Sequence, residues 1–289
     1  MKDFKLKIEV PVDSFNLEHI FECGQCFRWE KQSDGSYIGV IDDTVLKVSL
    51  KDNILTACGL TKKTDIKKYL EEYFDLKNDY SKIKSKLSSV DENLKTSIEY
   101  GYGIRILKQD LFECIISYII SANNNIPRIK KIINNISMQF GEKIVFENKE
   151  YYLFPKINQL VNGTIEDFRK AGAGFRDVRI FNTTQAIYNG SYDLKALEKI
   201  EDVDQLEKEL LTLDGVGPKV ANCIMLFALK RFDVFPVDVW VRRVMNDLYI
   251  HAKDENKINS KDIVRIAREK FGNLSGLAQQ YLFYWRREL

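Results

Sequence analysis

The stretch LLTLDGVGPKVANCIMLFALKRFDVFPVDVWVRRV, residues 210–244, decides how this chain is read. It has the form helix, tight glycine turn, helix, loop, helix. Gly215 and Gly217 let the turn fold sharply, and their backbone N–H groups are free to meet an anion where the next helix begins. Pro218 suits the first position of that helix. A helix-hairpin-helix of this type, over residues 202–231, holds a DNA phosphate without reading base sequence. Lys219 falls in the first turn of the second helix, and Cys223, four residues on, shares its face. The loop FPVD then delivers Asp238 just ahead of another helix.

The rest of the composition sets limits. The chain has 289 residues, 45% hydrophobic and 30% charged, which suits one large or two to three small domains with packed cores. No apolar run is long enough for a membrane span, and the start MKDFKLKIEV lacks the apolar centre of a signal peptide. The expectation is a soluble, monomeric, cytoplasmic protein. The five cysteines (23, 26, 58, 114 and 223) are odd in number and scattered, which does not suit a disulfide framework. Cys23 and Cys26 form a CxxC pair, but no second pair or histidine cluster completes a zinc site. With only His19 and His251 in the chain, neither a structural metal nor a histidine base is expected. The net charge of +2 means that any nucleic-acid site must gather its positive charge locally.

Residues 27–58 alternate apolar and polar side chains, with SDG (33–35), DD (42–43) and KDN (51–53) as turns, the pattern of an antiparallel meander. From about residue 63 the period becomes helical. TDIKKYLEEYFDL begins near Thr64 or Asp65, and residues 107–122 form a helix apolar on all sides. Residues 126–141 run from Pro127 near the start to Gly141 at the stop. Further helices fit 165–172, 175–190, 202–213, 218–231, 238–250, 260–272 and 274–289. The predicted fold class is therefore α+β: an N-terminal antiparallel β-rich domain with helices over residues 1–100, then an all-helical domain over residues 101–289.

LDGVGPK followed by PVD resembles the helix-hairpin-helix/Gly-Pro-Asp DNA glycosylase superfamily. The resemblance implies that Asp238 supports an oxocarbenium-like transition state, and that a lysine at 219 makes the enzyme a lyase as well. Taken singly, Asp238 reads as a helix N-cap and Lys219 as a phosphate contact; the spacing of all three features carries the resemblance. A lysine attacks only when uncharged, and a helix N-terminus supplies only ~0.3–1 kcal/mol towards that. Burial must do the rest, so Lys219 is expected in a largely desolvated cleft.

Four more segments are similar to one branch, the 8-oxoguanine DNA glycosylase/lyases, and extend the match from about residue 20 to 285. By that resemblance Gly24 in GQCFRW (24–29) offers its carbonyl to the N7–H that 8-oxoguanine has and guanine lacks. In SANNNIPRI (121–129), Asn123 and Arg128 contact the cytosine opposite the lesion. In AGAGFRDVR (171–179), Phe175 is the wedge that fills the hole left by the flipped nucleotide, and Arg176 reads the opposite base. In GLAQQYLF (276–283), Gln279 reads the Watson–Crick edge and Phe283 stacks on the base, with Cys223 on its other side. Gly215 and Gly217 belong to the phosphate-holding hairpin.

Three positions depart from the pattern, the mildest being Phe175, where many relatives carry a tyrosine. Trp240 stands where eukaryotic relatives carry a phosphate-binding histidine, so Arg242 or Arg243 is expected to take that contact. Asn222 stands where an aspartate is often seen. These departures suggest a divergent bacterial member acting at the nucleoid. The implied partner is double-stranded DNA carrying a damaged purine, the reaction needs no cofactor, and the product is a Schiff base followed by β-elimination. Three other assignments stay open: an endonuclease III-like pyrimidine glycosylase, an alkylpurine glycosylase, and a non-catalytic DNA-binding module. The absence of cysteine after 223 counts against the first, Lys219 against the second, and the presence of both Lys219 and Asp238 against the third.

Overall fold

The computed structural model describes residues 1–288. The chain begins with β1 (Lys2–Glu9), outside the meander expected from the sequence, and a short helix α1 (Leu17–Phe21). Strands β2 (Trp29–Lys31), β3 (Tyr37–Ile41), β4 (Thr44–Lys51) and β5 (Ile54–Thr61) follow, and all five form one antiparallel sheet in the order β1-β5-β4-β3-β2. Register is set at the β4–β5 turn, where Asp52 and Asn53 both take positive φ, as a two-residue hairpin of matching twist requires. One face of the sheet packs on α1 and α2 (Ile66–Tyr73) through Phe15, Phe21, Trp29 and Phe74. Asp65 caps α2 by accepting from the N–H of Lys68 at 3.0 Å.

Helices α3 (Tyr80–Ser88) and α4 (Glu92–Tyr100) come next, and their Tyr80, Leu87, Leu94 and Ile98 enter the core of the helical body rather than that of the sheet. Packing thus crosses the division placed near residue 100. Arg105 fastens the crossing. It is fully buried, donates to the carbonyls of Phe74, Ser14 and Asn78 at 2.9, 3.1 and 3.0 Å, and lies 4.0 Å over the Tyr80 ring.

The helical body continues with α5 (Leu111–Ser121), α6 (Ile126–Phe140), the hairpin β6 (Lys143–Phe146) and β7 (Lys149–Tyr152), then α7 (Ile157–Leu160), α8 (Ile165–Lys170) and α9 (Asp177–Tyr188). It ends with α10 (Leu194–Leu197), α11 (Val203–Leu210), α12 (Pro218–Phe227), α13 (Val239–Met245), α14 (Ser260–Phe271) and α15 (Ser275–Glu288). As the composition of its segment predicts, α5 is buried along nearly its whole circumference. The hairpin β6–β7 reaches back to the sheet, packing Ile144 and Leu153 on Val40 and Val45. Among the described residues no helix is long and apolar enough to cross a membrane.

Candidate active site and DNA-binding groove

The turn between α11 and α12 is fixed from three sides. Gly215 has φ +85, and a Cβ there would sit 3.0 Å from Cβ and Cδ of Arg179. Thr183 on α9 donates its hydroxyl to the carbonyl of Asp214 at 2.9 Å, and Asn182 donates to the Asp214 carboxylate at 2.7 Å. Asn222 explains itself as a latch. Its amide donates to the Glu207 carboxylate and the Pro218 carbonyl, both at 2.8 Å, while its oxygen accepts from the N–H of Phe235 at 3.1 Å. A carboxylate cannot donate those two bonds. The latch ties both hairpin helices to the loop that carries Asp238.

Gly217 is the N-cap of α12 and brings no side-chain cap, so the first N–H groups of this helix face the groove with Pro218 at the start. Lys219 follows and is half-buried, not sealed as the sequence led us to expect. Its Nζ lies 3.5 Å from the Ser121 hydroxyl and 5.2 Å from the centre of the Tyr118 ring, both on α5. Asp238 caps α13, accepting from the N–H of Val241 at 2.8 Å. Burial pushes its carboxyl above the usual carboxylate range, opposed by that N–H and by the Lys219 charge. Lys219 and Asp238 border the same two hollows, yet no direct ion pair joins them among the described residues.

The smaller hollow has a volume of about 40 Å³. Its walls are Gly24, Cys223, Gln279 and Phe283, the four residues assigned to the lesion base, together with Lys219, Asp238, Tyr118, Phe227, Pro236 and Gln280. Three distant segments therefore meet here. Gly24 has φ +81, and a Cβ on it would come 3.0 Å from Cε1 of Phe283. Its loop is held by Gln25, fully buried, which donates to the carbonyls of Ile20 and Arg105 at 2.8 Å each and accepts from the N–H of Leu107 at 2.8 Å. Gln280 donates to the carbonyl of Cys23, and Tyr118 to that of Gln25 at 3.1 Å. Gln279 is 5% exposed, and its Oε1 has no hydrogen-bond partner. A buried amide oxygen without a donor is costly, about 1–3 kcal/mol; facing this hollow, it is placed to accept from a ligand. Cys223 is buried and its thiol is pushed up by that burial, with the Lys219 charge pulling it back. A cavity of this size holds a few waters, each needing at least about 10–15 Å³, so a purine enters only as the walls separate.

The larger hollow is an open groove of about 810 Å³ bordered by Ser121–Asn124, Arg179, Gly215–Val220 and Asp238–Trp240. Asn123, with φ +51, and Arg128 are exposed beside it, and Phe175 projects with 57% of its surface exposed. Trp240 is 40% exposed. Three of the assigned arginines have partners within the protein. Arg176 is 2% exposed and donates to the carbonyls of Ala122, Ala173 and Asn123, so it braces the 122–123 turn. Arg242 donates to the carbonyl of Ile258 and, at 2.8 Å, to the hydroxyl of Ser260. Arg243 pairs with Glu255 at 3.1 Å. Both are thus engaged within the protein.

Sequence reasoning missed Tyr118, Ser121, Pro236 and Gln280. Tyr118 and Ser121 lie three apart on α5, facing the α12 surface that carries Lys219; that pairing is a fact of tertiary packing with no local signal. Among the described residues no group of three His, Cys, Asp or Glu side chains is arranged to hold a metal ion.

Two family descriptions match consecutive stretches of the chain: the 8-oxoguanine DNA glycosylase N-terminal domain over residues 7–115, and the HhH-GPD superfamily of base excision DNA repair proteins over residues 116–273. A solved structure of the Clostridium acetobutylicum 8-oxoguanine glycosylase/lyase, in complex with duplex DNA containing cytosine opposite 8-oxoguanine, is 45% identical with a TM-score of 0.91, covering 96% of this chain and 93% of that one. The N-glycosylase/DNA lyase OGG1 of Arabidopsis thaliana is 31% identical over 91% of this chain and 75% of its own. A probable N-glycosylase/DNA lyase of Methanothermobacter thermautotrophicus is 29% identical over 96% and 95%.

Proposed function

Because this chain belongs to the 8-oxoguanine glycosylase branch of the HhH-GPD superfamily of base excision DNA repair proteins, we propose that Lys219 is its nucleophile and Asp238 the carboxylate that works with it. The protein is a DNA glycosylase and AP lyase that excises 8-oxoguanine from duplex DNA. The flipped base lies between Phe283 and Cys223, with the Gly24 carbonyl toward N7–H and Gln279 at the Watson–Crick edge. Phe175 fills the gap in the duplex, and Asn123 and Arg128 meet the opposite cytosine. The sequence of steps starts from an uncharged Nζ. It attacks C1′ as the C1′–N9 bond breaks and its electron pair leaves with the base. The positive charge that develops at C1′ is offset by the Asp238 carboxylate. Ring opening gives a Schiff base on Lys219, and loss of a C2′ proton expels the 3′ phosphate. In the cell the substrate is bacterial DNA at the nucleoid.

The observation that carries this reading is the convergence on one small hollow of an amine, a carboxylate without an ion-pair contact to it, and an orphaned amide oxygen. Borohydride trapping on duplexes with 8-oxoguanine opposite each base tests it. A covalent adduct is expected with the wild type, most of it opposite cytosine, and none with Lys219→Gln. Equal trapping by that variant discards the assignment.

A further inference from the structure

Arg242 and Arg243 are both engaged within the protein, which leaves the groove beside Lys219 in need of another cation. Arg179 supplies one. It lies in the first turn of α9 and is half-buried in the wall of the 810 Å³ groove, opposite Trp240 and next to the hairpin amides. Among the described residues no carboxylate or carbonyl takes its N–H groups. The neighbouring acid in sequence, Asp177, is occupied by Arg169 at 2.8 Å and by the N–H of Val178 at 2.7 Å. The neighbouring Arg176 adds like charge and no counterion. An arginine held against a wall with an unanswered guanidinium is a phosphate ligand in waiting, since five fixed donors match that group.

Two contacts fix where the guanidinium points. Its stem lies against Gly215, where any Cβ would touch Arg179 at 3.0 Å, so the hairpin glycine makes room for it. Its head lies 5.3 Å from the centre of the Phe175 ring, whose other neighbour is Arg176 at 4.2 Å. Arg179 therefore joins the hairpin to the wedge. We propose that Arg179 binds a backbone phosphate of the lesion strand beside the flipped nucleotide, so that gripping the backbone and positioning Phe175 are done by one side chain. The strand is the lesion strand because the same groove wall carries Lys219 and Asp238. This inference rests on the glycosylase reading above.

The test is equilibrium binding to a duplex with a tetrahydrofuran abasic analogue opposite cytosine, between 50 and 200 mM salt. Each phosphate contact contributes about 0.9 to the slope of log affinity against log salt. Arg179→Gln is expected to bind more weakly with a slope smaller by about that amount, so its deficit shrinks about threefold across the range. Arg179→Lys, which keeps both the charge and the stem beside Gly215, is expected to restore the slope. Arg242→Gln is expected to leave it unchanged. A wild-type slope in Arg179→Gln, or a slope lost in Arg242→Gln instead, overturns the proposal while trapping on 8-oxoguanine DNA persists. A wild-type protein that neither binds the abasic duplex nor is trapped would sink the glycosylase reading itself.

Discussion

Gly24 is held to glycine by two separate requirements. Its φ of +81 disfavours any side chain, at about 1–2 kcal/mol, and an added Cβ would press on the Phe283 ring at 3.0 Å. Phe283, the ring proposed to stack on the base, would have to give way. Gly24→Ala is therefore expected to slow excision of 8-oxoguanine at least tenfold while cleavage of a preformed abasic site stays near the wild-type rate. Single-turnover rates on the two duplexes measure this, and equal losses on both would reduce Gly24 to a structural glycine. Gln279 makes the complementary case. Its Oε1 is buried without a donor, so removing it relieves the free protein. Gln279→Met should keep or raise the unfolding midpoint, by about 2–4 °C per 1 kcal/mol regained, and should still lose excision tenfold or more. A fall in both stability and activity would show that the oxygen is satisfied after all. At this scale residue types named the candidates for chemistry (Lys219, Asp238, Gly24, Gln279), and the structure brings these four to one hollow. Residue type does not say which arginine already has partners within the protein. Nothing local distinguishes Arg176, fastened to three carbonyls, from Arg179, fastened to none.

The short helix α13 starts on the carboxylate that is also proposed to act in catalysis. Asp238 accepts from the N–H of Val241, and burial raises its pKa above the unfolded value of 3.8. A raised carboxyl binds its proton more tightly in the folded state, so its share of stability is complete at low pH and is lost as pH rises through the raised value. Asparagine caps a helix as well as aspartate does. Asp238→Asn is accordingly expected to unfold at a higher temperature than the wild type at neutral pH, with the difference closing in acid, and to lose about 10²–10³ in excision. Thermal scans across pH alongside single-turnover rates check both halves; a variant less stable at neutral pH would reverse the sign and refute the argument. The helices were legible because their caps and periods are local. Asp65, Asn125 and Asp202 each begin a helix where the pattern places one, while the helix expected from residue 107 begins only after its cap, Asp110. The hairpin β6–β7 was not, because its turn is Glu147–Asn148, both at positive φ, and glutamate gives no turn signal. Strand β1 was missed for a related reason. Only the long-range pairing with β5 makes its weak alternation a strand.

Across the whole molecule, the sheet and the helical body meet on a buried polar seam. Glu113 on α5 lies 3.9 Å from Arg28, with Asp110 and Asp42 also near it and Lys63 paired to Asp42. Burial pushes its carboxyl up to about 7, with Arg28 pulling it back and Asp110 and Asp42 pushing further. The two-domain division by residue number conveys little of this, since Glu113 and Arg28 come from opposite ends of the boundary and α3 and α4 pack on the helical side. The seam bears on function because α5 also carries Tyr118 and Ser121 beside Lys219. Its pH dependence follows from the sign of the shift. Glu113 contributes fully below its unfolded value of 4.5, and that contribution disappears as pH rises through about 7. Glu113→Gln has no proton to lose. The gap in unfolding midpoint, variant minus wild type, should therefore widen in favour of the variant between pH 5 and pH 8. Midpoints of both proteins at those two pH values decide it: a gap that stays constant, or that narrows at pH 8, would mean that Glu113 is ionised throughout and that the Arg28 pairing outweighs its burial.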